Sequence, residues 1–171
     1  MPETKLSVFD YAIRSEEEGA AFYAKAARTF GEGPEKAFLE NLAAEETKHA
    51  ATFRELKEKA SRKGTAEIFA SAEVSDYLDA VVRGGLFESA RGAVPDGAPP
   101  ESIEDVYAVA IRAERSSILL YGELARQAKD KPIRKILEQM GREEKYHLVR
   151  IVALRADQDT MFAIERFGCV C

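Results

Sequence analysis

The chain has 171 residues, a net charge of −5, 46% hydrophobic and 32% charged residues, and no Trp. That balance excludes a disordered segment and is enough for one buried core, and without a long basic tract nucleic acid is not an expected partner. The apolar runs fall far below the ~20 residues of a membrane span, Met1-Pro2-Glu3-Thr4-Lys5 lacks the layout of a secretory leader, and the two Cys of the chain stand at 169 and 171, so a cytoplasmic protein without a disulfide scaffold is expected.

Ser7 and Asp10 form a capping-box-like start. An apolar stripe at helical spacing follows, through Phe9, Ala12, Ile13, Ala20, Tyr23, Ala27 and Phe30. Gly31-Glu32-Gly33-Pro34 breaks it, with Pro34 suited to the first turn of a second helix. That helix carries Leu39, Leu42, Ala43, Ala50, Phe53, Leu56 and Ala60 on one face. Residues 62–101 form a long crossover. A short helix is expected at Ser75–Val82 and another at Thr65–Ser71, because a structureless loop of that length is uncommon in a compact domain. Ser102 with Asp105 starts a third helix, whose stripe includes Tyr107, Ala110, Ile111, Ile118, Tyr121 and Ala125. Asp130-Lys131-Pro132 is the next break, and the fourth stripe runs from Ile133 to Leu154. Residues 158–171 show no period and are expected to be a tail, with Cys169-Val170-Cys171 exposed at its end.

The sequence repeats itself. A shift of 98 residues carries Glu16 onto Glu114, Tyr23 onto Tyr121, Pro34 onto Pro132, Glu45-Glu46 onto Glu143-Glu144 and His49 onto His147. Each half is a helical hairpin, and two hairpins joined by a long crossover make an all-α four-helix bundle. Both His of the chain follow a Glu by three residues, Glu46 before His49 and Glu144 before His147, which puts each pair on one helix face. Glu16 and Glu46 each lie about 15 residues from the first break, roughly 22 Å at 1.5 Å per residue, so they are level on antiparallel helices. The same holds for Glu114 and Glu144 about the second break. All four Glu interrupt apolar stripes. Ionised carboxylates inside one core would cost several kcal/mol each and repel one another. Cationic metal is the natural remedy, and Glu oxygens with imidazole nitrogens suit Fe, Mn or Zn.

With these residues the chain resembles the ferritin-like di-iron carboxylate proteins, and is most similar to the rubrerythrins. A Glu from each of two helices plus Glu-x-x-His from each of the other two is the ligand pattern of that superfamily. The resemblance implies one ferritin-like four-helix bundle over residues 1–171 holding two metal ions, iron first, with Mn or Zn as alternatives. It implies Glu16, Glu46, His49, Glu114, Glu144 and His147 as metal ligands and catalytic centre, with Glu46 and Glu144 bridging and Glu16 and Glu114 terminal. Tyr23 and Tyr121 lie two turns after the first ligands on the same face, and by the resemblance both donate to a ligand carboxylate. It further implies that Glu45 accepts from the outer ring N–H of His147, and Glu143 from that of His49.

The sequence departs from many rubrerythrins in two ways. It lacks the paired Cys-x-x-Cys of a rubredoxin domain, and Ser117 stands three residues after Glu114, where an additional Glu is usual. The reading that follows is a di-metal oxidoreductase reducing H2O2 or O2, with an external electron donor and a homodimeric assembly. Iron oxidation and storage is the alternative within the same chemistry. A redox-inert bundle holding Zn is the alternative outside it.

Overall fold

The computed structural model describes residues 8–30, 33–63 and 100–167, without the side chains of residues 63 and 157–167. Four helices account for nearly all of it: α1 (Val8–Thr29), α2 (Gly33–Lys63), α3 (Ile103–Gln127) and α4 (Lys131–Phe167). The expected short helices at 65–71 and 75–82, the Ser7 cap and the two Cys lie outside the described residues, as does most of the crossover.

The breaks act through the residues that announce them. Gly33 begins α2 at a φ of +49°, a conformation that costs glycine little, and Pro34 follows in the first turn with its φ already helical. At the start of α3 the Ser102 hydroxyl accepts from the Asp105 N–H at 3.1 Å, and the Asp105 carboxylate accepts from the Ser102 N–H at 3.1 Å. This reciprocal cap satisfies two of the free N–H groups of a helix start. Asp130 accepts from the Ile133 N–H at 3.2 Å and starts α4 in the same manner, while Arg134 reaches back to the Ala128 carbonyl that ends α3.

α4 runs further than the periodicity suggested. Its backbone stays helical through Phe167, well into the segment expected to be a tail. Residues 155–167 contain neither Gly nor Pro, and Gly168 is the first residue that breaks helix propensity. Polar residues there blur the stripe without disfavouring the helix.

α1 pairs with α2 and α3 with α4 along their lengths, and α2 meets α4 across the seam between the hairpins. The core is aromatic and aliphatic, with Phe9, Tyr23, Leu42, Phe53, Leu56, Tyr107, Leu120, Tyr121, Leu124 and Leu137 among the side chains fully withdrawn from water. A buried Leu or Phe contributes roughly 1.5–3 kcal/mol by transfer from water. Packing of these stripes therefore outweighs exposed ion pairs such as Lys57–Asp10 and Arg54–Glu17, worth about 0–1 kcal/mol each. Among the described residues no helix is long and apolar enough to cross a membrane.

Candidate metal centre

The two hairpins place four carboxylates and two imidazoles at one level in the middle of this core. Glu16 comes from α1, Glu46 and His49 from α2, Glu114 from α3, and Glu144 and His147 from α4, and all six are buried. They form two overlapping quartets. One is Glu16, Glu46, His49 and Glu144; the other is Glu46, Glu114, Glu144 and His147. Within each, one donor atom per residue lies within 4.8 Å of the others. Glu46 and Glu144 belong to both quartets, Glu16 and Glu114 to one each.

The imidazoles present the same atom to the cluster. His49 Nδ1 stands 3.0 Å from Glu144, 3.4 Å from Glu16 and 3.8 Å from Glu46. His147 Nδ1 stands 3.2 Å from both Glu46 and Glu144, and 3.7 Å from Glu114. The rings stack with centroids 5.6 Å apart and planes 19° from parallel. Their Nε2 atoms point outward to carboxylates of the opposite hairpin, at 2.9 Å from Glu143 for His49 and 3.2 Å from Glu45 for His147. A proton held at Nε2 by a carboxylate leaves the Nδ1 lone pair free for the cluster.

The outer carboxylates have their own holders, which the sequence reading did not single out. Gln139 donates to Glu143 at 2.9 Å, one turn along α4. Arg150 lies 3.7 Å from Glu45, its guanidinium over the rings of Phe38 and Tyr146. The i,i+4 spacing of Gln139 and Glu143 was a usable signal. Arg150 had none, since its partners sit on two helices.

Tyr23 and Tyr121 part company. The Tyr23 hydroxyl donates to Glu114 Oε1 at 2.5 Å, joining α1 to α3 through the core. The Tyr121 hydroxyl is equally buried and meets no hydrogen-bond partner, so the donation expected of it is not made. Its ring tilts against Phe53, centroids 5.2 Å apart, and Phe53 aligns in the repeat with the slimmer Ile151. The halves thus differ in sequence at the residue packed against this ring.

Several buried atoms at the centre, Glu16 Oε2, Glu46 Oε1, Glu144 Oε1 and both Nδ1 atoms, crowd together at 3.0–3.4 Å without a well-directed hydrogen bond. All belong to the two quartets, and buried acceptors crowded in this way call for a cation. Protonation shows the same demand. Burial, then the neighbouring Glu46, raises the Glu16 carboxyl well above its usual range, and burial raises Glu114 likewise. Burial would also raise Glu46, but hydrogen bonding with Glu16 and both imidazoles outweighs it and holds Glu46 low. Glu144 is pushed up by burial and by the Glu46 charge, yet the imidazoles and Glu114 bring it below its usual value. Burial disfavours the charged imidazoles, but the surrounding carboxylates win: His49 is raised far above its ordinary value and His147 to about 12. Without metal, neutrality is thus reached with protons on Glu16, Glu114 and both His, facing ionised Glu46 and Glu144. Two divalent cations with four ionised carboxylates and two neutral imidazoles give the same net charge. The donor set fits a pair of divalent ions.

A four-helix bundle with carboxylate–imidazole quartets sharing two Glu is the architecture of a ferritin-like di-metal protein. The family model for rubrerythrin matches residues 7–89 and 105–160, and the chain belongs to the rubrerythrin family. A crystal structure from Thermotoga maritima, described as a ferritin-like diiron-carboxylate protein, shares the fold at a TM-score of 0.61 and 24% identity, over 91% of this chain and 99% of that one. No curated protein sequence matches the chain.

Proposed function

We propose that the protein is a di-iron oxidoreductase that reduces peroxide, or O2, with electrons from an external donor. The observation that carries this reading is the pair of quartets sharing Glu46 and Glu144 inside a buried core. Glu16 and His49 would complete one metal position, Glu114 and His147 the other. Two ferrous ions would supply two electrons, the number that cleavage of one O–O bond consumes with two protons, while acting as Lewis acids. Iron is proposed over Zn because the structurally similar Thermotoga maritima protein is described as a diiron-carboxylate protein. The carboxylate-rich, thiolate-free donor set accommodates iron.

The chain's own groups supply the rest. Glu143 holds a proton at the outer Nε2 of His49 by a hydrogen bond, and Glu45 stands 3.2 Å from the outer Nε2 of His147 as an opposite charge, so both imidazoles offer Nδ1 inward. Tyr23 orients Glu114 by donating to Oε1, and burial together with the Glu114 charge keeps that phenol protonated. The surrounding core, including Leu42, Phe53 and Tyr121, excludes water and preserves the strength of these interactions.

The test starts with metal content per chain on untagged protein expressed with supplementary iron and manganese. Ferrous-loaded protein is then mixed anaerobically with one equivalent of H2O2. About two iron ions per chain and stoichiometric peroxide loss support the reading. Iron uptake far beyond two per chain would move it to ferroxidation and storage. Zn that resists exchange, with no reaction, would reduce it to an inert bundle. Glu46→Ala should deplete both positions, Glu16→Ala one.

A further inference from the structure

The sequence repeat would make the two metal positions equivalent, yet their surroundings differ, and the differences share one sign. The outer carboxylates differ first. Glu143 divides its contacts between its two oxygens. Its Oε2 takes the His49 Nε2–H at 2.9 Å, and its Oε1 accepts from the Gln139 amide at 2.9 Å. Among the described residues His49 is the one basic group within ion-pair distance of Glu143. Glu45 instead turns a single oxygen to two bases. Its Oε2 lies 3.2 Å from His147 Nε2 and 3.7 Å from the Arg150 guanidinium, with no well-directed hydrogen bond to either.

Arg150 is held in that place by two rings, its guanidinium carbon 4.7 Å from the Phe38 centroid and 5.2 Å from that of Tyr146. The repeat mates of Arg150, Phe38 and Tyr146 are Thr52, Ile136 and Lys48. The other hairpin therefore has neither a guanidinium at this place nor the rings that would hold one. The terminal carboxylates differ in the same direction. Glu114 gives Oε1 to the Tyr23 hydroxyl at 2.5 Å, whereas its repeat mate Glu16 receives no tyrosine, since the Tyr121 hydroxyl meets no partner. A carboxylate that accepts a hydrogen bond or faces a cation has less charge to lend. At Glu114/His147 the terminal carboxylate and the one behind the imidazole are both drained in this way. At Glu16/His49 the terminal carboxylate is spared the hydroxyl, and the outer one meets a neutral amide in place of a cation.

We propose that the two metal positions are electronically unequal, Glu16/His49 being the stronger donor, and that Arg150 is the positioning residue that makes them so by taking a share of Glu45, with Tyr23 adding to the difference through Glu114. This rests on the di-iron reading above. An imidazole backed by an uncompensated carboxylate is the more basic ligand, and outer partners of this kind tune the potential of a bound metal. The surroundings of Glu16 and His49 then favour the ferric charge at a lower potential than those of Glu114 and His147. Arg150 and both outer carboxylates are partly open to solvent, so screening keeps the difference modest. Its expected size is about a tenfold ratio, ~59 mV for one electron.

The test is an anaerobic potentiometric titration of protein loaded with iron, followed by electron paramagnetic resonance and Mössbauer spectroscopy. The wild type should oxidise in two resolved one-electron steps. Arg150→Gln should lower the higher potential and leave the lower one in place, and Arg150→Lys, which keeps the charge, should preserve most of the gap. Tyr23→Phe should lower the same step. Glu143→Gln keeps an acceptor for His49 while removing its charge, and should raise the lower potential. Circular dichroism and iron content confirm that each variant is folded and loaded. A single unresolved step in the wild type overturns the proposal, as does an Arg150→Gln variant that moves neither potential, moves both equally or moves the lower one alone. A merely structural Arg150 would lower Tm without separating the two steps in this way. Failure to take up two iron ions would refute the reading of the centre and the proposal with it. Two unequal potentials in a protein inert to peroxide would count against the proposed activity alone.

Discussion

Loading the centre with two divalent ions should expel protons from it. In the metal-free protein Glu16 and Glu114 are held toward the protonated form, and His49 and His147 keep their second protons. Two divalent ions need four ionised carboxylates and two neutral imidazoles. The protons on Glu16, Glu114, His49 and His147 must therefore leave, about four per chain and about two per ion. The overall affinity for the pair should then rise by up to about four decades per pH unit while those groups titrate. Anaerobic calorimetry with Fe(II) or Mn(II), repeated at neutral pH in buffers of different protonation enthalpy, reads the proton count directly. Glu16→Gln, which keeps the shape and removes one acidic proton, should lower the count by about one. Binding of two ions with release of less than about one proton in total would refute the charge balance and, with it, the view that protons stand where the metals go.

Metal-free protein should lose stability as pH rises. The raised groups, Glu16, Glu114 and both His, bind protons in the folded state that the unfolded chain releases above its ordinary values of 4.5 and 6.5. Their contribution is complete below those values and is lost on the alkaline side, while the depressed Glu46 and Glu144 lose theirs below about pH 4.5. Denaturant melts should therefore show higher stability near pH 5.5 than near pH 8, with saturating metal reversing the order; a flat apo profile would contradict the shifts. Tyr23→Phe should cost about 1–3 kcal/mol by leaving Glu114 short of a donor, lowering Tm by several degrees, whereas Tyr121→Phe removes an unpartnered hydroxyl and should leave Tm unchanged or higher. Equal losses in the two variants would show that Tyr121 has a partner after all. Glu143→Ala should weaken metal binding roughly 10–100-fold by freeing the His49 ring, measured by competition with a chromophoric chelator; an unchanged affinity would remove Glu143 from the support of that ligand.

The fold was legible because three independent signals agreed. Pro34 and Pro132 marked the breaks, the stripes had helical period, and the 98-residue shift superposed one half on the other. The six buried polar residues of the centre were legible for a related reason. A Glu or His within an apolar stripe is expensive, so its recurrence at matched height in four helices points to one compensating cause. What escaped was set by contacts rather than by pattern. Tyr23 and Tyr121 are repeat mates, yet the first hydroxyl is bonded to Glu114 and the second is not, a difference of contact that spacing does not encode. Arg150 was missed because it is recognised only where α2 and α4 meet. The helix through Phe167 was missed because an absence of breakers is a weaker signal than a stripe.

Each imidazole takes its outer carboxylate from the other hairpin, and each quartet takes at least one Glu from it. Neither hairpin can therefore assemble a finished binding position during synthesis, when α1 and α2 emerge well before α4. Tight metal capture is postponed to the last event of folding, the docking of the two halves. A single hairpin then offers three of the four residues of its quartet, and a half-folded chain holds a metal ion more weakly than the finished bundle. The interleaving acts as a checkpoint, coupling possession of the metal to completion of the shell that contains its reactivity.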